Sequence, residues 1–337
     1  MSAKPKRGKY FIFILYFIFV EDIKNKIIEI LFQGEITQRE LRERLGISKS
    51  YLSEILKSME DKGTIIRKKI TKRTIVVGLN KKKFLRIGIL KASEYAAVFL
   101  SSKEIKEFSV HIIIYNNSLE EMRDLLTEKI DIAFAPAITG LIFHMVDNDV
   151  VMISACSRGG SGVIYRDERI DYLGSTFLST MDIISRQFSD KKVRIKYFSS
   201  PEEILNSYYR GDVQAISIWE PYFSIVEEGK KIQFSKDIIC CGLITLKKNI
   251  DERILKFNEV FNYESNNLRE GKNREEASKM ISQRLNIDYE IILKSLDSYI
   301  FETKIDEEDI KKITNIIGMN LNEEVILRFI NRQQNSL

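Results

Sequence analysis

At 337 residues, 44% of them hydrophobic and 30% charged, the chain is long enough for one substantial core and a second, smaller one. Four prolines and no Ser-, Gly- or Gln-rich tract exclude a long disordered segment or flexible linker. The net charge of +5 hides an asymmetry: residues 1–84 carry 20 Lys and Arg against 9 acidic residues, and the rest carries 33 against 39, so a basic head suited to a polyanion precedes an acidic body.

The first feature along the chain is the apolar run Tyr10–Val20 (YFIFILYFIFV), preceded by Lys4, Lys6, Arg7 and Lys9. It falls short of the ~20 apolar residues that span a bilayer. It also lacks a small-residue cleavage site and runs directly into Glu21 and Asp22, so neither export nor a membrane partner is expected. Two alternatives stay open: an apolar element packing on the body or on a second subunit, or an extension upstream of the true start, because the pattern that follows is complete from about Glu21.

From Asp22 to Phe32 the spacing of Ile23, Ile27, Ile28, Ile30 and Leu31 predicts a helix, ended by Gly34. Thr37 stands three residues before Glu40, a capping box, and opens a short helix with Leu41 and Leu45 inside and Gly46 at its close. A third helix starts at Ile47 and Ser48 and turns Leu52, Ile55, Leu56 and Met59 inward as far as Lys62 and Gly63. Two β-branched runs follow, Thr64–Ile70 and Thr74–Leu79, joined by the polar turn Thr71, Lys72, Arg73. The stretch TQRELRERLGISKSYLSEILKSMEDKGTIIRKK within this pattern resembles the winged helix-turn-helix regulators of bacteria and archaea over about Asp22 to Leu79. Such a fold implies double-stranded DNA as partner, with the third helix in the major groove. Ser48, Lys49, Ser50, Tyr51 and Ser53 are the expected groove face, and Lys57 points toward phosphate. Arg67, Lys68 and Lys69 support phosphate binding, and Lys72 and Arg73 reach the backbone or minor groove from the wing tip. Ser48 also reads as a helix cap.

Beyond Lys81, Lys82 and Lys83, strands are predicted at Leu85–Leu90, Val110–Tyr115, Ile130–Phe134, Val150–Ala155, Ile170–Leu173, Val193–Phe198 and Gln214–Ile218. Helices are predicted between them at Leu119–Glu128, Ile138–Asp147, Thr176–Phe188 and Glu202–Arg210. This alternation predicts an α/β domain whose ligands gather at the carboxyl ends of the strands. The segments LRIGIL, SLEEMRDLLTEKIDIAFAPAITGLIF, YLGST and SPEEILNSYYRGDVQAISIWEPYFS resemble the solute-binding family of nitrate, taurine, alkanesulfonate and thiamine-precursor transporters. The paired units ending at Asp131 and Asp212, and Trp219-Glu220-Pro221-Tyr222, carry most of that likeness.

The resemblance implies a type 2 periplasmic-binding-protein-like fold of two α/β lobes with a helical C-terminal tail. The expected division is an extension at 1–20, a winged helix at 21–80 and a ligand-sensing body at 85–337. Within the body, lobe 1 is expected at about 85–168 and 239–337, and lobe 2 at about 169–238. Strand ends then nominate Ser93, Glu94, Tyr95, Asn117, Ala135, Pro136, Ala137, Thr139, Ser157 and Arg158 on lobe 1, and Ser175, Thr176, Trp219, Glu220 and Tyr222 on lobe 2. Ser175 and Thr176 are expected to open a helix that holds an anionic head group. Arg158 would add a bidentate partner, and Trp219 and Tyr222 would offer aromatic faces.

Cys156, Cys240 and Cys241 lack metal-ligand spacing and read as free thiols of a reducing compartment. Only His111 and His144 occur, in a predicted strand and an apolar helix, so no metal, cofactor or catalytic constellation is expected. The combined expectation is a cytoplasmic, homodimeric DNA-binding regulator, in which an anionic or heterocyclic small molecule closes the lobes and so changes how paired winged helices meet their half-sites. The competing readings are a small-heterocycle enzyme with a regulatory head and a membrane-tethered binding protein.

Overall fold

A computed structural model describes residues 20, 22–32, 34–71, 73–166, 169–189, 192–234 and 236–331. The expectations for Lys72 and for all of Tyr10–Val20 except its last residue lie outside the described residues. The contacts divide the chain into two units, Met1–Phe84 and Leu85–Leu337.

In the first unit a helix over 22–32 (α1) buries Ile23, Ile27 and Leu31, four residues apart on one face. Thr37 caps α2 (Gln38–Leu45), its Oγ1 accepting from the Glu40 amide at 3.1 Å. Gly46 sits at φ 65°, a left-handed position suited to glycine, and turns the chain toward α3 (Lys49–Asp61). The wing is β2 (Ile65–Lys69) paired antiparallel with β3 (Ile75–Leu79). The two-residue β1 (Ile36–Thr37) adds to the outer side of β3 and is too short to leave a periodic signal. Leu41, Leu52, Leu56, Ile65 and Val77 close the core of this unit.

The second unit begins with β4 (Phe84–Leu90), α4 (Ala96–Glu104), β5 (Ser109–Tyr115), α5 (Ser118–Leu126), β6 (Ile132–Pro136), α6 (Ala137–Val146) and β7 (Val150–Ala155). The chain then leaves through β8 (Ser157–Gly159) to build β9 (Ser161–Tyr165), β10 (Tyr172–Ser175), α7 (Thr180–Phe188), β11 (Arg194–Tyr197), α8 (Pro201–Tyr209), β12 (Ala215–Trp219), α9 (Tyr222–Ile225) and β13 (Lys230–Gln233). It returns as β14 (Cys241–Leu246) and ends in α10 (Glu252–Arg269), α11 (Arg274–Leu285), α12 (Tyr289–Ser295), β15 (Tyr299–Phe301), α13 (Glu307–Ile316) and α14 (Glu323–Phe329). One sheet has the order β5-β4-β6-β14-β7 and the other β11-β10-β12-β9-β13. This is a two-lobed α/β body with a largely helical tail.

The predicted boundaries shift in two instructive places. The second sheet starts at Ser161, because β9 inserts antiparallel between β12 and β13, so the lobes part several residues before 169. Helix α7 starts at Thr180 and not at Thr176: Leu178 takes φ 51°, which breaks helical continuity, and Ser179 Oγ caps the amides of Met181 and Asp182 at 3.1 and 3.4 Å. Helix α4 and strands β8, β9 and β13–β15 were not foreseen, being short or lacking clean periodicity.

Asp131, singled out by its repeated setting, anchors the first sheet. Its carboxylate accepts from the Arg86 amide at 2.8 Å and from both arms of the Arg86 guanidinium at 3.0 and 2.7 Å, with both side chains nearly buried. Asp131→Ala leaves Arg86 desolvated without its partner, and the expected loss is about 3 kcal/mol of unfolding free energy, read from the urea midpoint of the full chain. A loss under about 1 kcal/mol would mean that the pair is hydrated enough to be dispensable.

Candidate functional site

On the head, Lys49, Ser50, Ser53 and Lys57 stand exposed along α3, while Tyr51 is half-buried against the core of that unit. Ser48 is the N-cap of α3, its Oγ accepting from the Tyr51 amide at 3.2 Å. On the wing, Lys68, Lys69 and Arg73 are exposed. Arg67 is tied back to Glu60 at the end of α3, and that bond holds the Glu60 carboxyl below its usual range. Lys68 pairs with Glu35 at 2.8 Å in an exposed setting, where water competes for both charges.

In the body, a cavity of about 190 Å³ lies at the carboxyl ends of β4, β6, β10 and β12. For comparison, a dry cavity of ~150 Å³ accepts a benzene ring. Of the fifteen residues nominated by sequence, Glu94, Tyr95, Asn117, Pro136, Thr176 and Trp219 line it. Asn116, Ser118, Phe177, Ser179, Thr180, Tyr197, Phe198, Cys240 and Cys241 line it too and were missed. Phe177 and Tyr197 meet edge to face with ring centres 5.1 Å apart, and both remain accessible.

The other nominated residues have different work. Ser93 and Ser175 are buried and bonded to Ser295 and Ser217 at 2.8 and 3.0 Å. Ala135 pairs with Gly242 inside the sheet, and the Ala137 amide donates to the Cys240 carbonyl at 3.0 Å. Thr139 donates to the Leu178 carbonyl at 2.6 Å. Ser157 lies buried beside Glu94. Glu220 holds the chain crossing, accepting from the Ser224 amide at 3.0 Å and the Ser298 hydroxyl at 3.2 Å, and Tyr222 packs its edge on Trp219. Arg158 is the sharpest correction. Its guanidinium donates to Glu302 at 2.9 Å and Asp309 at 2.7 Å, lining a separate recess, so its charge is already neutralised by the tail. Ser175 and Thr176 likewise do not open a helix.

Several bonds reach across the cavity from one lobe to the other. Trp219 Nε1 donates to the Lys91 carbonyl at 2.7 Å, Asn117 Nδ2 to the Ser199 carbonyl at 3.3 Å, and Lys91 pairs with Glu202 at 2.8 Å. Asn117 also caps α5 through the Glu120 amide at 3.0 Å. Among the described lining residues Glu94 alone belongs to the charged types, with no Lys, Arg or His beside it. Burial raises its carboxyl to about 7, opposed by the neighbouring Cys241, Cys240 and Ser157. Burial also pushes the Tyr95 hydroxyl and the Cys241 and Cys156 thiols well up. His144 plays no part here: its Nδ1 meets the Val150 carbonyl at 2.7 Å in the α6 core, and burial lowers its pKa.

Residues 21–66 match the family model described as winged helix-turn-helix DNA-binding. No curated protein sequence matches the chain. Among solved structures, the body is similar to the ligand-binding component of an ABC-type import system from Staphylococcus aureus, solved with zinc bound, at TM-score 0.61 and 14% identity over 70% of this chain and 91% of that one. It is similar to the alkanesulfonate-binding protein SsuA from Xanthomonas axonopodis pv. citri, bound to MOPS, at TM-score 0.58 and 13% identity over 74% and 97%. The periplasmic nitrate-binding protein NrtA from Synechocystis PCC 6803 aligns at TM-score 0.55 and 12% identity over 76% and 90%. Identities this low speak for the fold alone. No helix among the described residues is long and apolar enough to cross a membrane. The chain joins a DNA-binding winged helix-turn-helix to a body with the fold of ABC-type periplasmic solute-binding proteins.

Proposed function

We propose that the protein is a one-component transcription regulator of the cytoplasm, working as a dimer and not as an enzyme. A small molecule held between the lobes of the body changes its affinity for double-stranded DNA. The observation that carries this reading is a single chain holding both a winged helix-turn-helix and a cleft at the strand ends of a solute-binding fold. The bonds of Trp219, Asn117 and Lys91 across the cavity describe a closed arrangement. Any molecule that binds closed and open lobes unequally shifts that equilibrium, and linkage makes the effect on DNA reciprocal.

The lining narrows the effector class. A sulfonate or nitrate carries a full charge that no lining side chain among the described residues neutralises, whereas a carboxyl raised to about 7 is protonated in part near neutrality and in that form donates as well as accepts. Aromatic Phe177, Tyr197, Phe198 and Trp219 suit a flat ring. The favoured effector is a single-ring, uncharged heterocycle with donor and acceptor groups at its edge.

Trp219 is the only tryptophan in the chain, so its emission reports on the cleft directly. A panel of heterocycles, taurine, an alkanesulfonate and nitrate is screened by Trp219 fluorescence and thermal shift on the full chain. At about a hundredfold excess over Kd a binder adds roughly 2.7 kcal/mol to stability. A response confined to the anions would overturn the heterocycle assignment, and a binder that leaves DNA affinity unchanged would overturn the regulator.

For the head, Lys57→Ala and Arg73→Ala are expected to weaken binding to random-sequence duplex DNA, each lowering the slope of log affinity against log salt by about 0.9. Anisotropy titrations over a salt series measure it. Unchanged slopes in both variants would place the phosphate contacts elsewhere.

A further inference from the structure

We propose that Glu94, Cys240 and Cys241 form a binding site for a thiophilic divalent cation, zinc before others, at the floor of the cleft. The inference rests on geometry and chemistry and stands whatever the effector proves to be. Glu94 follows β4 in the first third of the chain, and the two cysteines enter β14 almost 150 residues later, so the cluster exists only in the folded body. One ligand atom from each lies within 4.8 Å of the other two. The Cys240 and Cys241 sulfurs are 3.7 Å apart. That is far beyond the ~2.05 Å of a disulfide, yet two thiolates each ~2.3 Å from one tetrahedral zinc stand about 3.8 Å apart.

A second observation points to a ligand. Glu94 is 2% exposed, and its Oε1 makes no hydrogen bond although it is buried. A buried carboxyl oxygen without a donor is costly, and a cation would satisfy it. The remaining surroundings fit an inner site. Tyr95 Oη donates to the Cys241 sulfur at 3.4 Å, in place to orient a thiolate, and Thr180 Oγ1, which accepts from the Cys240 thiol at 3.5 Å, donates to the Cys240 carbonyl at 3.2 Å and holds that residue's backbone.

Two sulfurs and one carboxylate favour a borderline-soft ion over magnesium or calcium, which take oxygen ligands. All three donors also line the cavity. Three protein ligands leave the fourth tetrahedral position open on the cleft side, as in sites where a metal takes water or a bound molecule. On binding, the two thiols and the protonated fraction of the Glu94 carboxyl give up their protons to solvent and the groups ligate as thiolates and carboxylate, so uptake of zinc releases acid.

The test uses the full chain, reduced, stripped with chelator, and titrated anaerobically with cobalt(II) chloride and then zinc chloride, with no organic effector present. The expected result is one equivalent of cobalt, with thiolate-to-cobalt charge-transfer absorption and tetrahedral visible bands that zinc bleaches. Cys240→Ser and Cys241→Ser should each lose that signature, and Glu94→Gln should weaken affinity at least tenfold. Cys156→Ser should retain the signature and serves as the control for fold and thiol chemistry. Thermal melts confirm that each variant is folded, and Trp219 emission supplies a second readout. Absence of the thiolate–cobalt band from the folded wild-type chain, or its persistence in both cysteine variants, would overturn the site. Cobalt binding and DNA binding are read independently, so failure here is separable from failure of the regulator reading, while a bound cation would make Glu94 a ligand and offer the cleft a positive centre.

Discussion

The return of β14 to the first sheet is the constraint on which the body depends. After the second sheet is complete, this strand enters antiparallel between β6 and β7 with all six residues buried. Its fit leaves no room for variation at Gly242, where an added Cβ would stand 2.0 Å from Met152 Cε and 2.5 Å from the Ser154 carbonyl. The side chain could shift, but the carbonyl belongs to the neighbouring strand and could not. Through the same strand the Cys241 carbonyl accepts from the Cys156 amide at 2.9 Å, and Thr245 donates to the Asp131 carbonyl at 2.7 Å. One insertion thus ties the chain crossing, the Arg86–Asp131 clamp and the floor of the cleft into a single sheet.

Around that floor the lobes meet through hydrogen bonds that are individually modest, among them those of Trp219, Asn117, Thr139 and Ser298. A hydrogen bond such as Trp219 to Lys91 or Asn117 to Ser199 contributes about 0.5–1.5 kcal/mol net, and the Lys91–Glu202 pair is partly exposed and weaker still. Each is of the size that a ligand with a tenfold preference for one state, about 1.4 kcal/mol, can offset. Leu178 adds a local tension: a branched residue held at φ 51° presents its carbonyl to Thr139 across the cleft, and such a conformation persists only where its surroundings hold it.

Much of the fold was legible because it is written locally. Thr37, Gly46 and Ser48 punctuate the head through cap chemistry that acts within three residues, and the buried leucines and isoleucines of α2 and α3 follow a helical period. The alternation of strands and helices in the body survived with shifts of a few residues. The site was legible only in part, for a different reason. Glu94, Asn117, Thr176 and Trp219 could be read because they follow strands, where ligands of such sheets gather. Arg158 misled because its role depends on Glu302 and Asp309, partners about 150 residues away that nothing in its own neighbourhood announces. Cys240 and Cys241 escaped for the same reason, since they meet Glu94 only in the folded chain, and adjacent cysteines carry no metal spacing of their own. Phe177 and Tyr197 left no signal beyond being aromatic.

Two buried acids of the body stand in contrast. Folded chains bond nearly all their buried polar atoms, and the exceptions concentrate where function overrides stability. In the first sheet Asp131 has its carboxylate fully engaged, which is what a purely architectural acid requires. Glu94 is as deeply buried, yet it keeps one oxygen without a donor, beside two thiols and at the edge of empty space. Asp131 has no acceptor left to offer, whereas Glu94 stands at the cavity with one unmet oxygen, so of these two acids Glu94 is the one placed to meet a molecule that enters it.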